Sequence, residues 1–399
     1  MLSSPETAAQ PVVQASVLCT DPDPVDTLCA ALGAEPLALV ILFVSPSTDF
    51  GEVIRAASAR FGETPVLACT TAGEISAQGY TEDEIVAVGL PSRHFAIETM
   101  LIDTLEEIDS QELIGRTIRR RQSLMRLAPD WQNEFAFLMI DGLSLKEDEL
   151  AFGLATGLGP VPLFGGSAGD GARFEETFVA LNGIAYQDAA IVTFVRTRCP
   201  VRVFSLDHLR PTDRRMVVTG ADPSRRIVRT LNAAPAAREY ARILGKDPEQ
   251  LGPFTFAAHP VVVTIGGTHH VRAIQQVTEQ GDLVFFSAID EGLVLTLAEP
   301  DHLVEHLERE FQALSAEVKP AAIIACDCIL RRLEAGQKQL LGRMSNTLAE
   351  HCVVGFSTYG EQLNAMHVNH TMTGVAIYPP PPEDGEAGSL HDRLADRPE

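Results

Sequence analysis

Residues 64–75 read TPVLACTTAGEI. An apolar run of strand length leads into Thr71-Ala72-Gly73-Glu74: a hydroxyl residue, any residue, a glycine and an acid. The plan recurs in VPLFGGSAGD (161–170), which ends on Ser167-Ala168-Gly169-Asp170, and in CVVGFSTYGEQ (352–362), which carries Thr358-Tyr359-Gly360-Glu361. Each tetrad is preceded by a second apolar run and a helix-patterned stretch. These are LALVILFVSP with FGEVIRAASARFG (37–46, 50–62), EFAFLMIDGLS with KEDELAFGLATGLG (134–144, 146–159), and AAIIACDCILR with QLLGRMSNTLAEH (321–331, 339–351). Each is followed by a polar loop and one more apolar run: EIVAVGL, DAAIVTFV and MTGVAIY. A chain that repeats itself three times declares its architecture before any single element does.

Near-continuous apolar strands joined through a helix predict crossover units in sheets covered on at least one face. Such crossovers are right-handed. The expected fold is therefore α/β: a two-domain protein of repeated strand-helix-strand units, with mixed β-sheets flanked by helices. A length of 399 residues fits two cores better than one. The reading places a leading segment at 1–34, an N-terminal domain at 35–200 and a C-terminal domain at 201–378. The interruption RTRCPVRVFSLDHLRPTD (196–213) marks the boundary. Residues 1–12 and the proline-rich acidic tail at 379–399 have the composition of disordered chain. Within the second domain, DPSRRIVRTLNAAPAAREYARILG (222–245) reads as a helix opened by Asp-Pro. DHLVEHLEREFQALSAEV (301–318) reads as an amphipathic helix with Leu303, Leu307, Phe311 and Leu314 inward.

Composition narrows the function classes. A formal charge of −23 repels phosphate backbones and anionic lipid, which argues against nucleic acid and membrane partners. No apolar run reaches bilayer-spanning length and the N-terminus lacks a signal-peptide layout, so the expected location is cytoplasmic. Four arginines between Arg116 and Arg121 read as a solvated helix face. Seven cysteines, mostly inside apolar runs, read as reduced core thiols. The spacing of Cys326-Asp-Cys328 suits neither a zinc nor a redox pair.

The tetrads carry the main chemical candidates: Thr71, Gly73 and Glu74, then Ser167, Gly169 and Asp170, then Thr358, Gly360 and Glu361. Each stands where a strand leaves the sheet, the usual place for ligand contacts in open α/β folds. The glycine suits a backbone angle that a Cβ forbids, and the hydroxyl suits bonding within the turn. If the repeats pack pseudo-symmetrically, the three acids could converge for acid–base chemistry. Alternatively, each acid caps its own loop. GGSAG (165–169) spells a G-x-S-x-G nucleophile elbow, which would make Ser167 the nucleophile of a hydrolase. That motif needs a helix after the serine, and GDGARFEETF does not read as one. Among eleven histidines, His302 and His306 lie one helical turn apart beside the buried face and read as solvated. His208, His259, His367 and His370 are the candidates for ligating a metal or haem iron; Cys199-Pro200 is a weaker haem pattern.

CTTAGEI (69–75), CDCILRR (326–332) and VVGFSTYGEQLNAMHVNHTMTGVAIY (353–378) resemble the two halves of FIST proteins, bacterial sensory modules. FLMIDGLSLKEDEL, LFGGSAGDGARFEETFV, RPTDRRMVVTGADPSRRIV and AIDEGLVL are similar to the haem-binding, nitric-oxide-sensing subset called NosP. The resemblance implies a non-enzymatic sensor that binds haem, takes up nitric oxide at the iron and alters a partner. That partner would be a histidine kinase, or a diguanylate cyclase or phosphodiesterase acting on cyclic-di-GMP. It does not fix which one of His367, His370, His208 and His259 would hold the iron. For the wider family it implies a small, amino-acid-like ligand without haem, which the polar tetrads would grip. Homo-oligomerisation is left open.

Overall fold

The computed structural model describes residues 10–265 and 267–381, apart from the side chains of Ile265 and Thr268. The segments 1–9 and 382–399, which hold most of the two stretches expected to be disordered, lie outside the described residues.

Three copies of one unit make the body of the molecule. Each runs lead strand, helix, strand, helix, strand, short hairpin, strand, with two helices in place of the second in the third copy. In the first copy these are Val13–Leu18, Pro24–Leu32, Leu37–Val44, Phe50–Phe61, Val66–Thr70, the hairpin Glu74–Ser76/Gly79–Thr81, and Glu84–Pro91. The second runs from Phe95–Ile102 through Ser110–Leu127, Asn133–Ile140, Glu147–Leu158, Leu163–Ser167 and the hairpin Val179–Leu181/Ile184–Tyr186 to Ala190–Thr197. The third begins at Val201–Leu206 and resumes with Leu303–Leu314, Ala322–Cys328, Ile329–Gln337, Leu341–Glu350, Val353–Thr358, the hairpin Glu361–Leu363/Met366–Val368 and Met372–Ile377. Inserted between its first two elements is an all-antiparallel sheet built from residues 209–300, with helices Ala236–Leu244 and Pro253–Ala258.

The two strands that flank the crossover helix pair in parallel in every copy: Val40 with Val66, Ala136 with Leu163, Ile323 with Val353. The last strand returns antiparallel to the first of them. Helix ends obey local chemistry. Asp49 accepts the Glu52 N–H (2.9 Å) and Asp109 those of Gln111 and Glu112 (2.8 and 3.1 Å), satisfying donors a helix start leaves orphaned.

Strand alternation then builds the layers. Leu39, Ile41 and Phe43 face a central core shared with Phe137, Phe164, Phe356 and Val375 from the other two copies. Val40, Leu42 and Val44 face outward onto the first copy's helices. The other sheets repeat this, so both faces of each are covered, which explains strands that read as continuous apolar runs. Phe43 stacks on Phe356 at 4.7 Å between ring centroids, locking the first copy to the third.

Each copy lends its hairpin to a neighbour. Glu74–Ser76 pairs with Val353–Thr358, Val179–Leu181 with Val66–Thr70, and Glu361–Leu363 with Leu163–Ser167. The exchange is cyclic, so the three sheets close into one ring of six-stranded units and cross the expected 200/201 boundary.

Two local expectations are corrected. Residues 222–235 do not continue a helix: a short turn at Pro223–Arg225 ends on Arg226 at φ +53°, and Ile227–Leu231 pairs as a strand before the helix Ala236–Leu244 begins. Sheet pairing outweighs the helical spacing there. His306 is not solvated like His302. Its side chain is 12% exposed and its ring lies 6.4 Å from that of His208. Leu303–Leu314 is the amphipathic helix its pattern predicts, with those four residues buried. All seven cysteines are free thiols. No helix among the described residues is long and apolar enough to cross a membrane.

Candidate functional site

The hairpin exchange brings the three tetrads together. Ala72 N–H donates to the Ser357 carbonyl (2.9 Å) and Ser357 N–H to that of Gly73 (2.7 Å). Ser167 N–H donates to Gly360 O (2.8 Å) and Tyr359 N–H to Ser167 O (3.2 Å). Gly169 and Gly171 close the ring on Thr70 O and Thr71 O, both at 3.1 Å. Gly73 sits at φ +124°, a region a side chain resists. At Gly169 the demand is for space, since a Cβ would lie 2.8 Å from that of Ala72.

The tetrad acids point to two different uses. Thr71 donates its hydroxyl to Glu74, and Thr358 does the same to Glu361. Glu361 also accepts from the hydroxyl of Thr371 (2.6 Å) and is wholly enclosed. Burial raises Glu74 to about 7 and Glu361 to about 8, outweighing the bonds that favour the carboxylate. Asp170 behaves oppositely. Burial pushes it up, but the Tyr359 hydroxyl and the N–H groups of Phe174, Glu175 and Glu176 (2.8–3.1 Å) hold it below its usual value. Asp170 thus caps its own loop. Ser167 is buried at a strand end, its hydroxyl accepting from Gln362 Nε2 at 3.0 Å. No helix follows it before Val179. The strand–serine–helix geometry of a nucleophile elbow is not present there.

A groove runs along the outside of the ring where the first two tetrads meet. It has two hollows, of about 330 and 520 Å³, joined through Ala72, Glu82 and Gly171. The first is polar, with Ser45, Ser47, Glu74, Asp83 and Arg173. The second is walled by Ile329, Leu333, Leu341 and Phe254 of the inserted sheet's helix, with Arg332 on its floor. Arg332 is held over the Tyr80 ring at 5.1 Å and donates to Thr81 O (2.7 Å) and Glu82 (3.2 Å). Arg173 donates Nε–H to Asp170 O (3.0 Å) while its side chain stays half exposed. The groove thus places guanidinium and carboxylate groups beside an apolar wall. Of the tetrad residues, Ala72 and Gly73 border it and Glu74 lies behind them, as fully buried as Thr358 and Glu361 in the ring's interior. Sequence reading passed over Arg173, Arg332, Glu82 and Asp83. Their signal was charge just after a tetrad or within CDCILRR, a pattern that surface loops share.

The four candidate histidines do not meet at one site, although His208 and His370 lie near each other. His208 has both ring nitrogens engaged, Nε2 with Glu334 (2.8 Å) and Nδ1 with Arg331 (3.1 Å). Burial lowers its pKa against the Glu334 bond. His259 is half-buried in the inserted sheet, where its carbonyl accepts the Tyr240 hydroxyl (2.5 Å). His367 is buried with Nδ1 on Gln362 Nε2 (3.2 Å), and burial lowers its pKa against the opposing pull of Glu147 and Asp148. His370 is fully buried, both ring nitrogens unpaired, and burial lowers it to about 3. Haem needs an axial nitrogen opening onto an apolar slot. None of the four lines the groove, and His370, the one with a free pair of nitrogens, is closed in with His208, Glu334 and Arg331. The residues as arranged do not fit a haem.

Comparison with known proteins agrees with the architecture. The FIST N domain model matches residues 38–234 and the FIST C domain model residues 236–364. An uncharacterized protein of Methanocaldococcus jannaschii is 22% identical over 278 residues, 64% of this chain and 51% of that protein. The chain spans about half the length of this relative. With both domain models matched in tandem over most of its length, the chain belongs to the FIST family of sensory, ligand-binding modules.

Proposed function

We propose that this chain is a sensory module that takes a small zwitterionic, amino-acid-like ligand into the two-part groove and passes its presence to a signalling partner. The observation that carries this reading is the groove's composition. Arg173 and Arg332 suit a ligand carboxylate; Glu82 and Asp83 suit an ammonium; Leu333, Leu341 and Phe254 suit an apolar side chain. Transmission follows from the helix Ile329–Gln337. Arg332 faces the groove, while Arg331 and Glu334 grip His208 where the third copy leads into the inserted sheet. A ligand that draws on Arg332 favours one setting of this helix, and a kinase or cyclic-di-GMP enzyme could read the resulting position of the inserted sheet.

A thermal-shift panel of the common amino acids tests the reading. At least one is expected to raise the melting temperature of the full chain, and Arg173→Gln and Glu82→Gln are expected to abolish the response. A silent panel, or variants that respond like the parent, sinks it. Adding haem in the same assay, then nitric oxide, checks the sensor subset: a Soret band that shifts with the gas would move the ligand site from the groove to a histidine.

A further inference from the structure

The inserted sheet meets the second and third copies along a seam separate from the groove. Strand Thr268–Arg272 lies against Met366–Val368, and the helix Glu147–Leu158 packs on the same hairpin. One ion cluster there is complete. Arg226, reaching from the inserted sheet, donates to Glu147 (2.6 Å) and Asp148 (3.3 Å) and to the Phe286 carbonyl. Asp148 also accepts the Ala288 N–H at 3.2 Å.

A second set of groups at the seam is unpaired. Arg272 donates from one terminal nitrogen to its neighbour's carbonyl, Val271 O (3.1 Å); its Nε has no acceptor and no carboxylate lies within ion-pair distance among the described residues. The Ser287 hydroxyl, fully buried, has no partner. Nor do His367 Nε2 and Asn369 Oδ1, both on wholly or almost wholly buried side chains. His367 and Asn369 both press on Gly360, where a Cβ would run into the imidazole. Glu147 and Asp148 act most strongly on His367 across the seam, and Arg226 and Arg272 oppose them. The rings of Phe174, Phe286 and Tyr359, 4.5–6.3 Å apart between centroids, make an apolar wall beside them. Buried polar groups are nearly always paired, so several orphans at one seam call for a guest.

We propose that this seam is a second, enclosed site for a small monocarboxylate carrying a neutral hydroxyl or amide donor. The carboxylate meets the Arg272 guanidinium and the Ser287 hydroxyl, and the donor meets Asn369 Oδ1 with His367 Nε2 beside it. Glu147 and Asp148 are already committed to Arg226, and Asp148 also acts on Arg272 from beyond ion-pair distance, so among the described residues of the seam no carboxylate is free for an ammonium. The seam therefore favours a hydroxy acid over the zwitterion assigned to the groove, and the two sites share no residue.

Calorimetry on the full chain with lactate, acetate and neutral lactamide tests this. Lactate is expected to bind, acetate more weakly, and lactamide not at all. Arg272→Gln is expected to weaken lactate at least about 10-fold, as loss of a charge-assisted bond does, while Arg173→Gln in the groove leaves lactate unchanged. Should Arg272→Gln fail to fold, Ser287→Ala and Asn369→Leu serve, each reading the same loss. Absence of lactate binding overturns the proposal, as does full binding by Arg272→Gln or by both alternates. A crystal structure grown with lactate that holds only ordered waters at the seam overturns it as well. Failure of the groove would instead appear as a silent amino-acid panel with lactate binding intact.

Discussion

Replacing Glu361 by glutamine isolates the cost of ionising a carboxylate inside the ring of tetrads. Burial raises Glu361 from 4.5 to about 8, against the bonds from Thr358 and Thr371. Between those pH values the folded protein keeps a proton that the unfolded chain has released. The group's contribution to stability is thus fully present below about pH 4.5 and is lost as pH rises through about 8. At about 1.4 kcal/mol per pKa unit the loss is on the order of 5 kcal/mol across the window. Glutamine keeps the shape, can accept from Thr371 and donate to the Thr358 oxygen, and never ionises. Melting temperatures or urea midpoints measured from about pH 5 to pH 8.5 should therefore start close together and diverge, the parent falling below Glu361→Gln as the pH climbs. Parallel curves would refute the reasoning, because they would mean that Glu361 titrates alike in both states.

Four further outcomes follow from the same geometry. Gly73→Ala places a Cβ at φ +124° and against the Arg332 guanidinium, so urea unfolding should register a loss of about 1–3 kcal/mol, and the amino-acid response of the groove should fall with it. Tyr359→Phe removes the hydroxyl that donates to the Asp170 carboxylate and accepts the Asp170 N–H (3.1 Å); equilibrium unfolding should show a cost of about 1–3 kcal/mol. Glu334→Gln trades the buried carboxylate that His208 and Lys338 (2.8 and 2.7 Å) share for a neutral amide, while Arg331 keeps its pair with Asp327, and should cost about 1–3 kcal/mol by the same assay. Breaking the exposed Arg343–Glu305 pair (3.2 Å) should cost less than about 1 kcal/mol.

Much of the fold was legible because each copy is written locally. The apolar runs at 37–44, 133–140 and 322–328 are strands, the stretches after them helices, and the tetrads turns, since those features depend on neighbours a few residues away. The stretch 222–235 misled for the converse reason: its helical spacing yields to pairing with a strand ten residues upstream and another beyond residue 280. His306 is drawn inward by packing against His208, nearly a hundred residues off in the chain, a contact its own helix cannot announce.

The tetrads mark the limit most clearly. Repetition alone was enough to show three equivalent turns, each with a hydroxyl, a glycine and an acid, because turn chemistry is local. Which acid would face solvent was not determined at that level. Packing of the ring seals Glu361 with Thr371 of its own copy, ties Asp170 to Tyr359 from another copy and buries Glu74 behind the wall of a groove. Arg332 gains its setting the same way, from Thr81, 251 positions distant. Burial and pairing are properties of the assembled ring. A sequence specifies the unit through short-range chemistry, whereas the packing of three units against one another decides which of their like residues meet water, a ligand or each other.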